Sequence, residues 1–249
     1  MRIHSVSNEP KQLTLPIHSS TTPEFVFVRV FRRLGIKRPV PDFHIEYRPF
    51  SSLRSNINLR GNRARVRISD MLEQAPPLVL EALAEILLAQ LFERRPSEEA
   101  RECYLAYVFD PAVRRHIDET RRRRSRPRLL PARGQHFDLA AIFARLNQQF
   151  FKDELSCRRI GWSARPSRTV LGHYDPAHNT ITISRSLDSA TIPVEVVEYL
   201  VFHEMLHIRF PLERQGSRRV VHSREFRAAE KSYPGYRRVR DRLKRIFSE

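Results

Sequence analysis

Cysteine is nearly absent. Cys103 and Cys157 are the only two among 249 residues, and neither belongs to a CxxC pair. That excludes a disulfide framework and a cysteine-built zinc ribbon, and it suits a reducing cytoplasm, with both thiols read as small buried apolar groups. Long hydrophobic runs are missing too: no apolar stretch reaches the length needed to cross a bilayer, so a membrane is not an expected partner. Residues 1–22 are polar, lack the apolar core of a secretory signal, and read as a flexible segment. Lysine is scarce, at five of the 45 basic residues, and acids are outnumbered, at 28, for a formal net charge of +17. Arginine chosen over lysine says little about function, because genome composition can impose it. The net excess says more. It points to a polyanionic partner, with nucleic acid the default.

The basic residues are not evenly spread. Arg121, Arg122, Arg123 and Arg124 open the densest run, which reads either as a solvated linker over 121–135 or as a phosphate-binding arm. A second basic stretch, with Arg237, Arg238 and Lys244, reads as a helix that could line one side of a DNA groove. The linker divides the chain into a unit over 23–120 and another over 136–249, each long enough to bury its own core.

One stretch carries chemistry. His203-Glu204-Met205-Leu206-His207 lies in an apolar run from Val194 to Phe210 that opens with Pro193 and Glu195, good residues for a helix start. On a helix, residues four apart share a face, so both imidazoles can reach one metal ion, and Glu204 can reach a water on it. Nearly apolar all round, this helix should be buried, where unpartnered histidines and a glutamate would be costly. A catalytic zinc takes a third protein ligand from another element. His222 fits best, at the start of a second helix carrying Phe226 one turn on. Glu225 is the alternative, and Glu213 and Glu230 are further downstream acids. The polar stretch 211–219 suits a chain reversal. Upstream, Leu139, Ile142, Phe143, Leu146 and Phe150 form a helical stripe. Val170–Tyr174 and Thr180–Ser184 alternate as two strands of a hairpin. Helix, small antiparallel sheet and metal helix make an α+β layout. Ile181–Ser184, with Ile183 at its centre, reads as an edge strand to which a substrate peptide could add.

These residues, in this order, resemble a SprT-like zinc metallopeptidase domain, the family that includes Spartan. The carriers are the helix Ile142–Phe151 with Asn147 and its paired phenylalanines, the Gly172-His173-Tyr174 element, the strand Thr180–Ser184, the H-E-x-x-H helix, and His222-x-x-x-Phe226. The likeness runs from about Phe137 to Pro234. One departure is Ser223, where the family often has glycine. The resemblance implies a zinc-dependent endopeptidase with Zn2+ held by His203, His207 and His222 and Glu204 as general base. Tyr174, His173 or Tyr236 could supply a further donor. It also implies protein substrates crosslinked to or associated with DNA. The competing reading is a metal-stabilised nucleic-acid-binding module without proteolysis, for which His173 and His178 are remote candidates as a fourth ligand.

The N-terminal half echoes the C-terminal one. Phe31–Leu34 parallels Phe143–Leu146, Ile45–Pro49 parallels Ile160–Pro166, and Asn62–Ser69 parallels Asn179–Ser184. Pro77–Phe92 is another long apolar helix. Where the metal motif should fall it reads Ile86-Leu87-Leu88-Ala89-Gln90, with no ligand. The expectation is a degenerate copy of the same unit that packs or binds but does not cut.

Overall fold

The computed structural model describes residues 22–247, and the expectation placed on residues 1–22 lies outside them except for Thr22. Helix α1 (Pro23–Arg33) starts where the Thr22 hydroxyl accepts the Phe25 N–H and proline takes the first turn. Its apolar stripe buries Val26, Phe27, Val30 and Phe31. Strands β1 (Asp42–Arg48), β2 (Asn56–Arg60) and β3 (Arg63–Ser69) form a sheet in the order β1-β3-β2. In β3 the period-two pattern sends Ala64, Val66 and Ile68 inward and leaves Arg63, Arg65 and Arg67 in solvent. After one turn of 3-10 helix, α2 (Pro77–Leu91) lies across the sheet, followed by α3 (Glu98–Val108) and α4 (Pro111–Arg124).

The second unit repeats this order. Helix α5 (Leu139–Phe151) is capped by the Asp138 carboxylate, which accepts the N–H groups of Ala140 and Ala141. Its Asn147 side chain brackets the next turn, donating to the Leu155 carbonyl and accepting the Leu155 N–H. Then come β4 (Arg159–Trp162), β5 (Gly172–Asp175), β6 (Thr180–Ile183), a 3-10 turn and α6 (Val194–Arg209). The chain closes with a hairpin, β7 (Glu213–Gln215) and β8 (Arg218–Val220), and the helices α7 (Arg224–Lys231) and α8 (Tyr236–Phe247). Stretch 211–219 reverses the chain as a β-hairpin, turned at a positive-φ Gly216.

The two sheets share one topology. In each, the first strand pairs parallel with the third, and the second pairs antiparallel with the third. The expected antiparallel sheet is therefore mixed, because β4 joins it in parallel. Asp42 faces Arg63 as Arg159 faces Thr180, each position 117 residues on. In the first helix, matching the caps Thr22 and Asp138 gives 116 residues, which corrects the 112 implied by pairing Phe31–Leu34 with Phe143–Leu146. At offsets of 116 and 117 residues the ion pair Arg29–Glu81 recurs as Arg145–Glu198. Each unit has its own core, one built around Phe27, Phe31, Val66 and Ile68, the other around Trp162, Ile183, Phe202 and Phe226.

Candidate metal centre

Helix α6 is apolar nearly all round and correspondingly buried, with Val197, Val201 and Met205 fully covered. Phe150 and Phe151 of α5 pack on its Phe202, at ring-centroid distances of 5.0 and 5.7 Å. That packing fixes the rotation of α6 and so the direction of its polar residues. His203 and His207 point to one side, and His222 meets them from the far end of the hairpin. The three rings stand 5.0 to 5.1 Å apart, centroid to centroid. One nitrogen from each lies within 4.8 Å of the others. Three imidazole nitrogens this close together are a set that could hold a metal ion.

The buried ring of Phe226 floors the cluster, 5.2, 4.7 and 4.5 Å from His203, His207 and His222. Ser223 accounts for the departure from glycine. Its hydroxyl accepts the Phe226 N–H and caps α7, the helix that carries the floor. Glu225 is exposed on the first turn of that helix, so His222 completes the group. Burial, helped by the neighbouring charges of His203 and His222, lowers the His207 pKa to about 4. Burial also lowers that of His222, with His203 adding to it. Both are neutral near pH 7, the state that binds a metal.

Glu204 is 4% exposed. Burial pushes its carboxyl up to about 7, against the opposing pull of His203 and of the Tyr174 backbone N–H. Gly172 of β5 makes room for it: a Cβ there would stand 2.4 Å from a Glu204 carboxylate oxygen. The strand element noted in the sequence is glycine at that point because the carboxylate occupies the space.

Glu230, one of several downstream acids in the sequence, has a role that the sequence did not reveal. It accepts hydrogen bonds from the Tyr199 hydroxyl and from His203 Nδ1, both at 2.8 Å. Burial alone would raise its pKa, but His203 and Tyr199 outweigh burial and hold it near 2. An ionised Glu230 fixes the His203 tautomer and leaves Nε2 for an ion. Its one sequence signal is a place four residues after Phe226, on the same face of α7.

Other expectations fare differently. The Tyr174 hydroxyl donates to Asn179 at 3.2 Å, inside the β5–β6 hairpin. His173 lies on the opposite face of β5, its pKa lowered mainly by burial. Tyr236 receives Arg240 at its hydroxyl. The His178 ring is taken up by Asp175 and the Ser125 carbonyl, at 3.0 and 2.9 Å. Ile183 does not sit on an edge. β6 is the central strand, with Ile183 paired to Gly172 on one side and Trp162 on the other, so no peptide can add there. The strand with an unpaired side beside Glu204 is β5.

The run Arg121–Arg124 is neither a linker nor a free arm. It is the last turn of α4, where cations suit the helix dipole. Arg121 binds Asp175 and Arg122 the Ala177 carbonyl, while Arg124 grips Asp70 with both nitrogens at 2.6 and 2.7 Å. Arg123 remains exposed near Glu119. Arg237, Arg238 and Lys244 are exposed on α8 as expected. Lys244 overlooks an open cleft of about 500 Å³ that reaches His203 and His222 and is also lined by Arg227, Lys231 and Arg240. No helix among the described residues is long and apolar enough to cross a membrane.

Residues 139–240 match the model of the SprT-like family. No curated protein and no solved structure matches the chain.

Proposed function

Residues 139–240 being a SprT-like domain with a histidine triad able to hold a metal ion, we propose that it is a zinc-dependent endopeptidase acting on proteins associated with DNA. The observation that most directly supports this is the buried Glu204 carboxylate beside His203 and His207. A purely structural metal site has no use for an acid there, and burying it without a task would be costly. Zinc, when bound by His203, His207 and His222, supplies Lewis acidity and a more acidic water.

The chain's own groups do the rest. Glu204, with a pKa of about 7, takes the proton of the attacking water and returns it to the leaving amine. Glu230 and Tyr199 hold His203 in its ligand tautomer. The open side of β5 accepts the substrate backbone as an added strand, setting the scissile carbonyl beside Glu204. Arg227, Arg240 and Lys244 make the cleft basic, suited to acidic protein or to nearby phosphates. The unit before it carries the same sheet and long helix with no ligands in α2, and we assign it a non-cutting role.

The test is cleavage of a DNA-binding protein, with and without DNA, by the parent protein and by Glu204→Gln. The variant should keep about one zinc per chain and lose cleavage. Cleavage at the parental rate would remove Glu204 from its role. Zinc without cleavage under any condition would favour a metal-stabilised nucleic-acid-binding module.

A further inference from the structure

The outer face of the first sheet is bare and rich in arginine. Arg63, Arg65 and Arg67 project from its central strand, with side chains 88%, 62% and 44% exposed, at steps of about 6.8 Å. Arg60 on β2 lies directly opposite Arg63, and Asn58 opposite Arg65. The carboxylates on this face, Asp42 and Glu46, stay 3.7 to 3.9 Å from the arginines. Such exposed, long contacts hold little. Two arginines placed face to face across a ladder repel each other unless an anion lies between them.

The matching face of the second sheet shows what this surface is when it is only structural. There Arg60 and Arg63 are replaced by Asp175 and Thr180, both buried. The end of α4 covers them, with Arg121 on Asp175 and Arg122 on the Ala177 carbonyl. One face is small, paired and covered. The other is open, charged with one sign in excess and supplied with amide donors.

We propose that the outer face of β2 and β3 binds the phosphate backbone of a nucleic-acid duplex through Arg60, Arg63, Arg65 and Arg67. The face presents no exposed Phe, Tyr or Trp on which an unpaired base could stack, and its one ring is the imidazole of His44 beside Glu46, which speaks for a duplex over a single strand. Nor does it present an apolar side chain to enter a lipid surface, which speaks against a membrane. Contact is to phosphate, so it is independent of base sequence. The proposal deepens the DNA-associated reading above and rests on it for the kind of anion, but it concerns the unit that does not cut.

The test is binding of a labelled 20-base-pair DNA duplex to the full chain over a range of salt, for the parent, for Arg60→Gln/Arg63→Gln/Arg65→Gln, and for Arg237→Gln/Arg238→Gln on α8. Each lost phosphate contact lowers the slope of log affinity against log salt by about 0.9. The sheet variant should therefore lose about 2 to 3 from that slope and bind at least tenfold more weakly, with an unchanged thermal midpoint. An unchanged slope in a sheet variant whose parent binds duplex would overturn the proposal. If the α8 variant alone loses binding, the sheet is excluded while the DNA-associated reading stands. If the parent ignores duplex, both fall. A preference for the single strand or for anionic vesicles would overturn the choice of a duplex.

Discussion

Helices α2 and α6 occupy the same place in two sheets of the same topology. Where α6 has His203-Glu204-Met205-Leu206-His207, α2 has Ile86-Leu87-Leu88-Ala89-Gln90. The strand positions opposite change with them. Glu204 faces Gly172 of β5, while the corresponding position of β2 holds Ile57, paired to Val66 as Gly172 is to Ile183. Glutamate with glycine and leucine with isoleucine are two fillings of one space. The fold needs a buried helix on a small mixed sheet, and either filling supplies it. The ligands are an addition that the second unit supports with Phe226, Glu230 and the hairpin, whereas in the first α3 follows α2 with no hairpin between.

The largest test puts the same glutamine into each of the two fillings. Leu87→Gln should destabilise the first unit by about 2–4 kcal/mol, because it buries an amide with no partner and gives up apolar burial. Chemical denaturation would read it. Glu204→Gln should instead lower turnover by roughly 10²–10⁴ at little expense of stability. Equal stability losses in the two variants would erase the distinction. Next, Gly172→Ala should cut turnover by about 100-fold by displacing the Glu204 carboxylate. Ile57→Ala, at the matching position, should leave turnover unchanged.

Glu230→Gln should weaken zinc affinity by about 10–100-fold, measured by competition with a chelator. An unchanged affinity would mean that His203 is held by packing alone. Asp188 tests what fastens the connecting segment. Burial would raise its carboxyl, but the N–H groups of Gln135, His136 and Phe137 prevail and hold it below the ordinary value. A depressed folded pKa contributes stability that is fully present above the unfolded value of about 3.9 and is lost as pH falls through the folded one. Asp188→Asn should therefore be less stable at pH 7, by about 1–3 kcal/mol, and approach the parent in acid. Urea denaturation at both pH values would check this. The smallest effect belongs to the repeated ion pair. Glu81→Gln and Glu198→Gln should each cost no more than about 1 kcal/mol, since both arginines are half exposed.

What could be read in the sequence was what local pattern encodes. The stripe of α5, the alternation of β5 and β6, the apolar α6 and the start of α7 after His222 all lie within a few residues of where pattern puts them. The spacing of the histidines is itself a helical property. Strand order is not. Nothing in Thr180–Ile183 tells that β4 arrives in parallel from some twenty residues upstream and turns an expected edge into the centre. The arginine run misled for a similar reason: its acids, Asp70 and Asp175, lie about 54 positions away. Glu230 was visible but unremarkable, because only the folded α7 brings it to the far nitrogen of His203.

The hairpin β7–β8 spans the gap between His207 and His222, and it leans on the other unit. Helix α3 packs against β8, and Arg214 reaches Glu102 at 3.7 Å. The third ligand thus hangs from a segment seated on the half that carries none. An ion that draws His222 inward restrains the hairpin, and with it the seat on α3. Thermodynamic reciprocity makes the traffic two-way: whatever steadies α3 raises the affinity for the ion by the factor that the ion returns to α3.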